Sequence, residues 1–135
     1  MKQAGYSGTP LLKKLGVKEG SRFAVIKPPS GFVDSLPELP FRATLIQRGS
    51  AKADVIVWFI KSSAELAGIA TAIDRMPYDG GMLWVAWPKK ASGVKTDVTE
   101  DVIRGVALRA GLVDTKVCAI DETWSGLRLS RRKVP

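Results

Sequence analysis

The chain has 135 residues, of which 45% are hydrophobic, and carries a formal net charge of +8. Length and apolar content fit one globular domain with a single core and exclude a disordered chain, while no apolar run approaches the roughly 18 residues that a membrane helix needs. There is no histidine and only one cysteine, Cys118, which excludes serine–histidine triads, histidine or cysteine metal clusters and internal disulfides.

The opening MKQAGYSGTP has a lysine but no apolar segment behind it, so no secretory signal is expected and the expected compartment is the cytoplasm. Residues 1–8 read as a polar arm containing Tyr6. Thr9-Pro10 reads as the cap and first residue of a short helix through Leu11, Leu12 and Leu15 that stops at Gly16. Arg22 to Lys27 is the first strand, and Pro28-Pro29-Ser30-Gly31-Phe32 the loop after it. A short helix around Val33 to Leu36 is closed by Pro37 and Pro40, and Phe41 to Gln47 is the second strand. Ala53 to Ile60, the strongest strand signal, is the third. Ser62-Ser63-Ala64-Glu65 matches a capping box, and Leu66, Ile69, Ala70, Ile73 and Met76 then recur at helical spacing.

Tyr78-Asp79-Gly80-Gly81 turns the chain into a fourth strand, Met82 to Trp87. A helix starting near Asp97 or Thr99 buries Val98, Val102, Ile103, Val106, Ala107 and Ala110 and ends at Gly111. Lys116 to Ile120 and Trp124 to Ser130 are two last strands joined by a tight turn, followed by a basic tail over residues 131–135. Cys118 sits in an apolar alternation and reads as a buried thiol.

Alternating strands and helices force a mostly parallel sheet with right-handed crossovers, and the final turn adds an antiparallel strand. The expected fold is a single three-layer, Rossmann-like α/β domain of about six strands with a C-terminal antiparallel hairpin. This pattern resembles the later part of the Rossmann-like methyltransferase fold, in which the strand after a D/P-G-G turn is followed by a helix and a closing antiparallel pair. The resemblance implies a glycine-rich loop after the first strand and an acidic residue at the end of the second. Here those places read Lys27-Pro28-Pro29-Ser30-Gly31 and Gln47-Arg48. Both departures argue against S-adenosylmethionine in the usual mode, and the missing glycines also argue against a nicotinamide cofactor. No cofactor is expected.

Three strings carry a closer resemblance: AGYSGTPLLKKL from Ala4 to Leu15, LWVAWPKKASGVKTDVTEDVIR, and GLVDTKVCAIDETWSGLRL. They are similar to a small bacterial family catalogued as domain of unknown function 3052, over Gly5 to about Leu129. The resemblance implies a small soluble bacterial protein with no assigned activity, and it carries over no catalytic residue.

Trp87-Pro88-Lys89-Lys90-Ala91-Ser92-Gly93 is the candidate site. It falls at the C-terminal end of a parallel strand, where open α/β sheets place their ligands. Lys89 and Lys90 supply charge; Ser92, Gly93 and Thr96 precede a helix start, whose N–H groups favour anions. The same stretch also reads as a solvated basic loop. Asp97, Glu100 and Asp101 crowd the helix start, as caps or as an acid/base cluster; with two lysines nearby, a metal is not expected. Asp121, Glu122 and Trp124 form the last hairpin turn and line the same pocket if that turn falls at the same sheet end. Trp87 and Trp124 then offer faces for a ring.

The favoured partner is an anionic small molecule or nucleotide, bound without catalysis. The alternatives are a nucleic-acid-binding or regulatory module that uses the basic surface, and a degenerate methyltransferase-like enzyme using nearby carboxylates. No membrane partner is expected, and the sequence leaves the oligomeric state open.

Overall fold

A computed structural model describes residues 10–132. The arm expected over residues 1–8, Thr9 and the last three residues lie outside that range. Helix α1 spans Leu11–Leu15 with Pro10 in the capping position. Gly16 ends it with φ 93°, a left-handed conformation that closes its N–H onto the Leu12 and Lys13 carbonyls.

Six strands form one sheet: β1 (Arg22–Ile26), β2 (Thr44–Ile46), β3 (Val55–Phe59), β4 (Met82–Pro88), β5 (Leu112–Ala119) and β6 (Trp124–Arg131). Their order is β2-β1-β3-β4-β6-β5. β1 to β4 pair in parallel, whereas β6 is antiparallel to both β4 and β5. The mostly parallel sheet and closing hairpin expected from the alternation are present. The chain leaves β1 toward one side for β2 and toward the other for β3, so the topological switch point lies between β1 and β3. Because β6 runs backwards, its start lies on the same edge as the ends of the parallel strands.

Successive strand residues point to opposite faces and fill two cores. On one face Trp58, Val85 and Trp87 pack with Leu66, Ile69 and Ile103. These helical partners come from the 3-10 segment Ser63–Gly68 and from α2 (Ile69–Asp74) and α3 (Glu100–Arg109). On the other face Val57, Phe59 and Trp84 pack with Leu12 and Leu15 of α1 and with Phe32.

Beyond shifts of one or two residues at strand ends, four boundaries differ from expectation. β2 is three residues long because a turn precedes it: Ala43 N–H donates to the Pro40 carbonyl and Arg42 adopts φ 62°. The capped segment opens as a 3-10 helix and turns α-helical only beyond Gly68. β5 begins at Leu112, four residues early, and an irregularity between Asp114 and Lys116 resets its alternation. Arg131 belongs to β6, and its guanidinium donates to the Ile73 carbonyl in α2 and to the Met76 and Pro77 carbonyls just beyond it, so it is a structural residue and not part of a tail. Cys118 is half-buried; burial raises its thiol above the ordinary value against the pull of Lys14, Lys116 and Arg128. Among the described residues no helix is long and apolar enough to cross a membrane.

Candidate functional site

Pro88 has no N–H and ends β4. The next residue, Lys89, donates its N–H to the Thr123 carbonyl at 2.7 Å, and Pro88 lies opposite Trp124. The lysine loop and the last hairpin turn are thereby side by side at the C-terminal edge of the parallel strands. Asp121 and Glu122 belong to that turn, whose Thr123 carbonyl meets the start of the lysine loop.

The expected hydroxyl donors are both engaged by backbone carbonyls. Ser92 Oγ donates to the Lys89 carbonyl at 2.6 Å and accepts from Val94 N–H at 3.1 Å. Gly93, at φ 80°, ends the 3-10 turn Lys90–Ser92. Thr96 Oγ1 donates to the Lys61 carbonyl and accepts from Val98 N–H. Asp97 then accepts two hydrogen bonds from Ser63, from N–H at 2.8 Å and from Oγ at 2.6 Å. These bonds hold the Asp97 carboxyl below the ordinary carboxylate range, the hydroxyl bond being the larger cause. Residues 94–99 therefore form a strap that runs from the end of β4 across the end of β3.

Helix α3 begins only at Glu100, capped by the Thr99 hydroxyl, and its first turn carries Glu100 and Asp101. Its dipole is met by its own acids, so the helix start does not recruit an anion for the lysine loop. The carboxylates weighed as a cluster do separate jobs. Asp97 binds Ser63, and Glu100 and Asp101 both pair with Arg104; on the hairpin turn, Asp121 Oδ1 accepts the N–H groups of Thr123 and Trp124 at 2.8 Å each. The described residues include no group of three side chains able to hold a metal ion.

The two indoles are also placed differently from expectation. Trp87 is 9% exposed and Trp124 5% exposed. Trp87 packs in the core beneath α2 and α3, and Trp124 in the core beneath α1, edge-on to Phe59 with ring centroids 5.1 Å apart. Adjacent residues of a strand point to opposite faces, and Pro88 is the residue that pairs with Trp124, so Trp87 and Trp124 cannot face one ligand.

What the edge does present is lysine. Lys90, Lys61 and Lys95 are exposed and Lys89 is half-buried. The Thr96–Lys61 hydrogen bond brings the strap, with Lys95, against the loop after β3. Sequence reading missed Lys61 and Lys95, because nothing in their local pattern shows that the strap crosses β3. The opposite, N-terminal edge holds a cleft of about 330 Å³ lined in part by Lys18, Glu19, Ser21, Asp54 and Met82. It carries no sequence motif, since its residues come from three separate segments.

The family model described as Protein of unknown function (DUF3052) matches residues 46–133, from the last residue of β2 to beyond the end of β6. The chain belongs to this family. No curated protein matches its sequence. In fold, this DUF3052 member is similar to a SAM dependent methyltransferase from Aquifex aeolicus, with TM-score 0.61 and 12% identity over 88% of this chain and 86% of that one. It is also similar to ribosomal protein L11 methylase from Lactobacillus delbrueckii subsp. bulgaricus, with TM-score 0.58 and 15% identity over 91% and 75% of the two chains. A third similar structure is the fibrillarin pre-rRNA processing protein of Methanococcus jannaschii, with TM-score 0.57, 11% identity and coverage of 96% and 72%. At these identities the likeness is one of fold.

A Rossmann-like fold implies a nucleotide-type cofactor on a glycine-rich turn that opens a helix directly after β1. This DUF3052 member does not supply that seat. The turn reads Lys27-Pro28-Pro29-Ser30-Gly31, Lys27 itself is left-handed at φ 53°, and only a three-residue 3-10 turn, Val33–Ser35, follows. Phe32 turns inward onto Phe59, with centroids 4.8 Å apart.

Proposed function

We propose that the C-terminal edge of the sheet binds a phosphate-bearing small molecule or nucleotide through Lys89 and Lys90, assisted by Lys61 and Lys95. One imbalance carries this reading. The acids of this edge are largely spent on backbone N–H groups: Glu65 accepts from Lys61 and Ser62, Asp97 from Ser63, and Asp121 from Thr123 and Trp124. None of the four lysines forms an ion pair among the described residues. Four ammonium groups on the connections after β3 and β4, tied together by the Thr96–Lys61 hydrogen bond, form a standing positive field at the edge. Ser92, Gly93, Thr96 and Asp121 shape the loops. Glu122 is exposed on the hairpin turn whose Thr123 carbonyl accepts from Lys89, and its charge disfavours a second negative group on that side.

A second reading is favoured by the exposure of three of these lysines, which suits an extended polyanion such as single-stranded nucleic acid. The two readings separate by salt. Binding through several phosphates weakens steeply with ionic strength, because each neutralised phosphate releases counterions. A thermal-shift series with a nucleoside triphosphate and a short oligonucleotide, each at low and high salt, decides between them. A ligand at about 100 times its Kd stabilises the fold by about 2.7 kcal/mol, a readable shift. The first reading expects stabilisation by the nucleotide that persists at high salt and is lost in Lys89→Ala/Lys90→Ala. A shift confined to the oligonucleotide at low salt supports the second. No shift with either probe sinks both.

A further inference from the structure

The crevice between the ends of β1 and β3 is where this sheet order places a ligand. Three independent sets of side chains occupy it. From the β1 loop, buried Phe32 packs edge-on against Phe59, the last residue of β3, and Phe59 packs in turn against Trp124. Across the two loops, Lys27 Nζ stands 3.7 Å from Glu65 Oε1. Over the end of β3 lies the strap, with Thr96 on the Lys61 carbonyl and the Asp97 carboxylate on Ser63 N–H and Oγ.

We infer that this chain has filled its own switch-point crevice, so that it takes neither S-adenosylmethionine nor any other adenosine ligand there. The three contacts differ in weight. Lys27 is largely exposed, so its ion pair contributes little on its own. The aromatic stack is the main obstacle, because both Phe32 and Phe59 are buried and a ring-sized ligand displaces one of them only by opening the core. The Asp97 carboxylate is the second obstacle. It sits on the N–H of the first residue of the 3-10 segment after β3, so a ligand carboxylate approaching that turn meets a negative charge and finds that N–H already taken.

Calorimetric titration of the full chain with S-adenosylhomocysteine and with adenosine tests the inference. Adenosine carries no negative charge, so heat from it bears on the crevice and not on the lysine edge, and heat from S-adenosylhomocysteine is assigned to the crevice where it persists in Lys89→Ala/Lys90→Ala. The expected result is no saturable heat at millimolar ligand; saturable one-to-one binding of either probe in the crevice overturns the inference. Amide hydrogen exchange gives a second readout that needs no ligand. Ser63 N–H, held by Asp97, is expected to exchange at least tenfold more slowly than the neighbouring Ala64 N–H does in a Ser62→Ala variant, where its acceptor is gone. Equal rates mean that the strap does not hold the end of β3, and the inference falls.

Discussion

Trp84 shows how much one buried side chain ties together. It is fully buried in β4, and its indole N–H donates to the Leu15 carbonyl at 2.9 Å, at the end of α1. Arg128 of β6 lies over the same ring at 5.9 Å. Trp84 lies inside the fourth strand expected from the sequence, but the local sequence does not supply the acceptor, which is 69 residues away in the chain. Trp84→Phe keeps an aromatic ring and leaves the Leu15 carbonyl without its donor. A buried unpaired acceptor costs about 1–3 kcal/mol, and the lost ring adds a small cavity, so a destabilisation of about 2–3 kcal/mol is expected in urea unfolding. A loss under about 0.5 kcal/mol would mean that the bond does not hold α1 to the sheet. Trp87 and Trp124 teach the converse lesson: being next to a loop in sequence says nothing of which face a strand residue takes. One step of pairing register decides it, and register is a property of two strands.

At the scale of elements, the long apolar strands were legible and the irregular ones were not. β3 and β4 announce themselves as continuous apolar runs because both faces are covered. β2 lies at the sheet edge and is cut short by the turn at Arg42, whose positive φ no residue-type rule assigns to arginine. β5 hides its first half because the irregularity between Asp114 and Lys116 breaks the period of two. The strap was invisible for a similar reason: Thr96 and Asp97 look like helix caps, and Asp97 is indeed a cap, but of the segment starting at Ser63. β6 bears one sharp constraint. A Cβ on Gly126 would stand 2.9 Å from Ile120 Cδ1 and 3.1 Å from Trp84 Cε3. The glycine thus lets the hairpin lie flat against the Trp84 ring. Gly126→Ala forces the Ile120 side chain or the ring aside, and overpacking of this kind costs about 1–3 kcal/mol. The expected outcome is a lower urea midpoint. If Gly126→Ala is as stable as the parent, the packing of the hairpin on Trp84 is looser than these distances.

For the molecule as a whole, the absence of histidine sets the shape of the pH response. Histidine is the side chain whose ordinary pKa falls between pH 5 and 8, and this chain has none. Three carboxylates in separate regions are held below their ordinary value of 3.8: Asp54 chiefly by the Arg22 side chain, Asp97 by the Ser63 hydroxyl and Asp114 by Arg104. Asp54 joins the starts of β1 and β3, Asp97 pins the strap, and Asp114 ties β5 to α3 through Arg104. The sign follows from the direction of the shifts. A carboxylate whose folded pKa is depressed binds its proton more readily in the unfolded chain, so its contribution is complete above 3.8 and is lost as pH falls through the lower folded value. The fold is therefore expected to keep a nearly constant thermal midpoint from about pH 5 to 8 and to lose stability below about pH 4. Because the three anchors act on different parts of one sheet, the acid transition is expected to be single and cooperative. Asp54→Asn removes one anchor, and its midpoint falls less steeply with acid than the parent's. Thermal scans by circular dichroism from pH 2 to 8 check both points; a parent midpoint that drifts steadily between pH 5 and 8 would refute the first, and parallel acid limbs for parent and Asp54→Asn the second.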